Sequence, residues 1–80
     1  MESVYTTIWV GRVVRRALTV KVLDESPKAM KFVVADNAKC TFWVPKKALK
    51  FVDEQYDMAP WVMNEYLVNL FNRYANFYKA

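Results

Sequence analysis

Apolar and polar residues alternate along the first two-thirds of the chain, and the period then changes. From Val4 to Val14, residues Val4, Thr6, Ile8, Val10 and Val14 share one face, while Tyr5, Thr7, Trp9 and Arg15 share the other. That period of two predicts a strand. Gly11 interrupts it and predicts a bulge, a bend or a close backbone approach. A second strand follows with Leu18, Val20 and Val22 on one face and Thr19 and Lys21 on the other. Turn chemistry around Pro27 separates it from a third, "AMKFVVA", in which Met30, Phe32 and Val34 oppose Lys31 and Val33. Asp36-Asn37 is expected to turn the chain, because both residues tolerate positive φ. The returning strand "KCTFWV" places Cys40, Phe42 and Val44 inward and Lys39, Thr41 and Trp43 outward, and Pro45 ends its ladder. One helical turn over "KKAL" and a short closing strand "KFV" complete the β-region, residues 3–52.

The C-terminal third reads as a helix over 58–79. Asp57 is the expected N-cap, with Pro60 in the first turn. Glu65, Asn69, Asn72, Arg73 and Asn76 line one polar stripe. The apolar remainder, from Trp61 to Tyr78, is broader than one sheet contact requires. The whole chain, 1–80, is expected to form a single α+β domain. It would be a small antiparallel β-barrel or curled sheet of four or five strands, SH3-like or OB-like, followed by one C-terminal α-helix.

The stretch "SPKAMKFVV" with "CTFWVPKKAL" resembles short SH3-like β-domains of phage and bacterial chains. These carry a Lys-Ala-hydrophobic strand, an Asp-rich turn and a Trp-x-Pro-Lys segment. The matching positions are Lys28, Ala29, Asp36, Trp43, Pro45, Lys46 and Leu49, about the middle third of the chain. The resemblance implies a small barrel and a phage origin, and therefore a host cytoplasm. Two positions depart from it: Lys47 stands where serine is commoner, and the turn carries Asn37-Ala38 where the family has a glycine.

Composition narrows the chemistry. At 80 residues the chain buries only about 60% of its unfolded surface. One cysteine, Cys40, allows no internal disulfide and suits a reducing cytosol. The absence of histidine removes the usual zinc sites and the commonest general base. No phosphate loop or nucleophile–base pair is present. The expectation is a non-enzymatic module with no cofactor and no metal. The first sixteen residues do not have the form of a signal peptide. An apolar content of 55% in so short a chain favours a homo-oligomer, with Trp61, Phe71, Tyr74 and Tyr78 on the helix as the expected contact.

Charge is uneven. Residues 1–51 hold ten basic and four acidic side chains, net +6; residues 52–80 hold two and four, net −2. Such asymmetry fits polyanion binding. Arg12, Arg15, Arg16, Lys21, Lys31, Lys39, Lys46 and Lys47 are the candidate phosphate contacts, with Trp43 as a platform for a stacked base. Each has a plainer reading. Trp43 could pin the strand end against Pro45, and the arginines could guard a strand edge. Trp9 and Tyr5 are expected to lie under the helix. Cys40 is expected to be a small buried hydrophobe, and Asp53, Glu54 and Asp57 a solvated linker. The leading expectation is a nucleic-acid-binding module that prefers a single strand. The alternative is a small phage-type accessory or inhibitor that binds a host protein through its helix or a sheet edge.

Overall fold

The computed structural model describes residues 4–79; Ser3, the expected start of the β-region, lies outside them. Seven strands, two short 3-10 turns and one α-helix follow each other: β1 (Tyr5–Val10), β2 (Val14–Glu25), β3 (Ala29–Val34), β4 (Asn37–Pro45), a 3-10 turn (Lys46–Ala48), β5 (Leu49–Val52), β6 (Gln55–Met58), a second 3-10 turn (Pro60–Val62), α1 (Glu65–Tyr74) and β7 (Asn76–Lys79). The sheet order is β4-β3-β2-β1-β6-β5, and β7 pairs with β2. All pairs are antiparallel except β1 with β6. The sheet is curled and open, so the closed-barrel alternative is corrected, as is the expected count of four or five strands, because β6 and β7 add to it.

The strand phases predicted for β1–β4 place the core. Ile8, Leu18, Val20, Phe32, Val34 and Val44 are almost completely buried on the concave face, with Val10 and Phe42 close behind. The curl is tight enough for Phe32 of β3 to meet Tyr56 of β6 edge-on, centroids 5.5 Å apart, although two strands lie between them. The helix seals the same concave side with Leu67, Leu70 and Phe71. Burying side chains of this size contributes about 1.5–3 kcal/mol each, which is how a chain without a disulfide holds together.

Three expectations about the C-terminal third are corrected. The helix begins at Glu65. Its N-cap is Asn64, whose Oδ1 accepts from the Leu67 backbone N–H at 2.9 Å, and Asp57 lies instead within β6. Pro60 opens a separate 3-10 turn. The helix ends at Tyr74 because Ala75 is extended, and Asn76 to Lys79 form β7 along β2. β2 is twelve residues long, and β3 covers only Val20 to Glu25 on that side. The remaining edge, Val14 to Ala17, has unpaired backbone groups that β7 satisfies.

Two turns also differ. The β3–β4 turn occupies Ala35-Asp36, neither with positive φ, and Asn37 already pairs with Val34. Among the described residues other than glycine, positive φ is adopted by Asp53 (52°) and Glu54 (64°), which join β5 to β6 as a tight two-residue hairpin. They are therefore a turn, and the linker reading of 53–57 is corrected.

Tyr56 supplies a pH-dependent share of stability. Its hydroxyl is held above the ordinary value of 10.0, first by burial and then by the Glu25 carboxylate, while Lys46 acts in the opposite sense. The phenol thus ionises more readily in the unfolded chain, so this contribution is present below pH 10.0 and is lost as pH rises through the folded value. Thermal unfolding followed from about pH 9 to 12 is expected to show the midpoint falling, with the fall shallower in Tyr56→Phe.

Candidate nucleic-acid interface

The helix occupies the concave side, so the convex face of the sheet is left open. Trp9 and Tyr5 lie on that convex face, half-buried and exposed respectively. The expectation that the helix covers them is corrected: strand alternation puts them opposite Ile8 and Val10, which are the residues the core takes up.

A groove of about 360 Å³ opens at one end of this face, lined by Trp9, Gly11, Arg12, Arg15, Lys47, Ala48, Lys50, Asp57, Met58, Ala59 and Pro60. Its side chains come from several places in the chain. The β1–β2 turn brings Arg12, and the start of β2 brings Arg15. That turn needs Gly11, whose φ is +103° and where the Cβ of any other residue would fall 2.3 Å from the Val14 carbonyl oxygen. The 3-10 turn after β4 brings Lys47. Pairing of β5 with β6 sets Lys50 opposite Asp57, and the parallel β1–β6 pair sets Asp57 opposite Trp9.

Trp9 is held from several sides. Its indole N–H donates to Gln55 Oε1 at 2.8 Å, the Arg15 guanidinium lies 4.7 Å from its ring centroid, and Tyr78 packs at 5.3 Å. Arg15 also donates to Asp57 Oδ1 at 2.6 Å. Both members of that ion pair are over a third exposed, so it contributes at most about 1 kcal/mol to stability. Its larger consequence is orientation, because it fixes the guanidinium at the groove wall. With four cations and one carboxylate lining it, the groove carries a formal charge of +3.

Trp61 stands beside the groove. It follows Pro60, which lines it, and Lys47 Nζ lies 5.6 Å from the Trp61 ring centroid. At 61% exposure it is the most open of the three tryptophans.

A second cluster occupies another part of the convex face. Trp43 is outward, as predicted, and 48% exposed. Lys31 is its cross-strand partner, with Nζ 5.9 Å from the ring centroid. Lys21 lies over Tyr5 at 4.6 Å. Lys39 is exposed at the start of β4, where the register shifts.

The nine residues predicted to meet nucleic acid therefore divide. Arg12, Arg15 and Lys47 join in the groove. Lys21, Lys31, Lys39 and Trp43 belong to the second cluster. Two are engaged elsewhere: Arg16 donates to Asn72 Oδ1 at 2.8 Å and lies 5.7 Å from the Phe77 ring, and Lys46 is ion-paired to Glu25. Sequence reasoning missed Trp9, Lys50 and Asp57 as groove residues and Trp61 as their neighbour. Alternation marked Trp9 as outward, but nothing local marked its partners 41 and 48 positions on, Lys50 and Asp57.

The predicted oligomer contact is also redistributed. Phe71 is completely buried in the protein's own core, so it is corrected as a contact between copies. Tyr74 is half-buried, and its hydroxyl accepts from Asn37 Nδ2 at 2.9 Å. Tyr78 belongs to β7 and packs on Trp9, and Trp61 flanks the groove. Cys40 is half-buried with its sulfur unpaired. Among the described residues, no group of three acidic, cysteine or histidine side chains could hold a metal ion, and no helix is long and apolar enough to cross a membrane. No family model matches the chain, and no curated protein or solved structure matches it.

Proposed function

We propose that the protein is a non-enzymatic nucleic-acid-binding module that holds a single strand on the convex face of its sheet. The observation that supports this most is the groove, where Arg12, Arg15, Lys47 and Lys50 converge from separate elements beside exposed Trp61. Guanidinium and ammonium groups around one hollow suit phosphate oxygens. Exposed tryptophans suit unstacked bases, and a duplex would offer none. Trp43 and Lys31 extend the same face and supply a second stacking position.

A second reading rests on a different feature. Val4, Tyr5, Thr6, Val22, Phe51, Glu54 and Tyr56 line an apolar hollow of about 400 Å³ next to the edge strand β5. Phe51 and Val52 of that strand are exposed, which fits a protein partner added at the edge. On the helix, Leu67, Leu70 and Phe71 are taken up by the core and Tyr66 is half-exposed, so the edge offers such a partner the larger apolar area.

Salt dependence separates the two. Binding of a labelled single-stranded oligonucleotide, followed by fluorescence anisotropy, is expected to weaken with a slope of log affinity against log salt of about −0.7 for each phosphate contact. Trp43→Ala is expected to fold normally and to weaken binding by about 1–3 kcal/mol, the contribution of one stacked base. Absence of binding at low salt would remove this reading and leave the apolar edge as the functional surface.

A further inference from the structure

We infer that the groove is an end-recognition site: it takes the terminal phosphate of a single strand, and the nucleotide carrying that phosphate stacks its base on Trp61. This deepens the proposed function and rests on it.

The first argument is charge. An internal phosphodiester carries one negative charge, whereas a terminal phosphate monoester carries about 1.5 to 2 at neutral pH and has three acceptor oxygens. The groove offers net +3 within about 360 Å³, near the lower end of the size range of small-molecule pockets. Four cations around so small a hollow exceed what one diester in transit can neutralise. They match a dianion better. By contrast, the Lys31–Trp43 pair is a lone cation beside a ring, with Asp24 opposite Lys31 on β2; that arrangement suits an internal nucleotide.

The second argument is which aromatic surface is free. Trp9 lines the groove, but Arg15 and Tyr78 already pack on its ring and Gln55 takes its N–H. It is a positioning residue that holds Arg15. Trp61 is mostly exposed, and its nearest cation, Lys47, is also a groove residue. One lysine therefore reaches both the phosphate position and the base position, which ties them to a single nucleotide. Trp43, on β4, does not line the groove, and the cation over its ring is Lys31, which does not line it either.

The test compares three oligonucleotides of one sequence: 5′-phosphorylated, 3′-phosphorylated and with both ends hydroxylated. One phosphorylated form is expected to bind the wild-type protein about tenfold or more tightly than the hydroxylated one, the factor that an added charge-assisted contact supplies. Which form it is identifies the end that is read. In Lys47→Ala the preference is expected to disappear while residual binding persists. Trp61→Ala is expected to weaken the phosphorylated form most, whereas Trp43→Ala weakens all three alike. At equal ionic strength, inorganic pyrophosphate is expected to displace the preferred form more completely than sodium chloride does. Equal affinity for all three oligonucleotides would overturn end recognition and leave the general nucleic-acid reading standing. Failure of all three to bind would overturn both. A preference that survives in Lys47→Ala would place the end site elsewhere on the protein.

Discussion

Phe71→Ala is expected to lower the stability of the fold by about 3–5 kcal/mol, the range for removing a fully buried aromatic ring. Phe71 has no exposed surface and belongs to the cluster that joins the helix to Ile8, Leu18, Val20 and Phe32. A domain of this kind has roughly 5–15 kcal/mol of total stability, and small ones sit at the bottom of that range. The substitution therefore removes a large share, and chemical denaturation should show the midpoint moving strongly toward zero denaturant. Tyr66→Ala on the same helix is the control. Tyr66 is half-exposed and its hydroxyl donates to the Thr41 carbonyl oxygen at 3.1 Å, so its loss should cost far less. If Phe71→Ala left stability unchanged and altered only self-association, the helix would be a contact between copies, and its packing into the core would be wrong.

The same residue shows where sequence reading succeeds and where it stops. Alternation located β1 to β4 and their inward residues because one face of each strand is buried and the other is not. Ile8, Leu18, Phe32 and Val44 needed no structure to be found. The outward phase of Trp43 was legible for the same reason. β6 was not: Gln55-Tyr56-Asp57-Met58 is short, contains an acid, and pairs in parallel with a strand more than forty residues earlier. β7 was hidden by its own aromatics. Phe77 and Tyr78 continue the apolar spacing of α1, so they extend a helix on paper, while in the fold they fill the uncovered edge of β2. The apolar face looked too broad for one sheet contact because two elements were being read as one.

These two omissions account for the groove as well. Asp57 and Gln55 belong to β6, Tyr78 belongs to β7, and all three touch or pair with Trp9 or Arg15. Without those strands the arginines were a charge run on an edge, and Trp9 was a residue awaiting cover. With them, Arg15 has a fixed direction and the groove has a wall. Lys50 was the remaining blind spot: a single lysine in "LKFV" carries no pattern, and only its register opposite Asp57 places it on the convex face.

Reversing two of the groove charges should have the largest effect on binding. Arg12→Glu with Lys47→Glu changes the formal charge of the lining from +3 to −1, since each substitution removes one positive and adds one negative charge. Both side chains are exposed, so the double variant should fold normally, and thermal unfolding checks this directly. Two lost phosphate contacts alone flatten the slope of log affinity against log salt by about 1.4 for a single strand. Each lost charge-assisted bond contributes about 1.5–3 kcal/mol before solvent screening, so after screening a loss of about a hundredfold at low salt is expected. Repulsion from the introduced carboxylates adds to it. Arg73→Glu is the matched control: it changes the net charge by the same two units per site but lies on α1, on the opposite side of the sheet, and binding should change little. Asp57→Asn supplies the opposite sign. It removes the only carboxylate among the groove residues, raises the lining to +4, and frees Arg15 from its ion pair, so affinity should increase and the salt slope should steepen. The two directions together separate a specific site from a diffuse cationic surface. A diffuse surface would respond to Arg73 as it does to Arg12 and Lys47, whereas a site responds to position. Equal losses for Arg73→Glu and the groove variants would therefore reduce the convex-face model to nonspecific attraction.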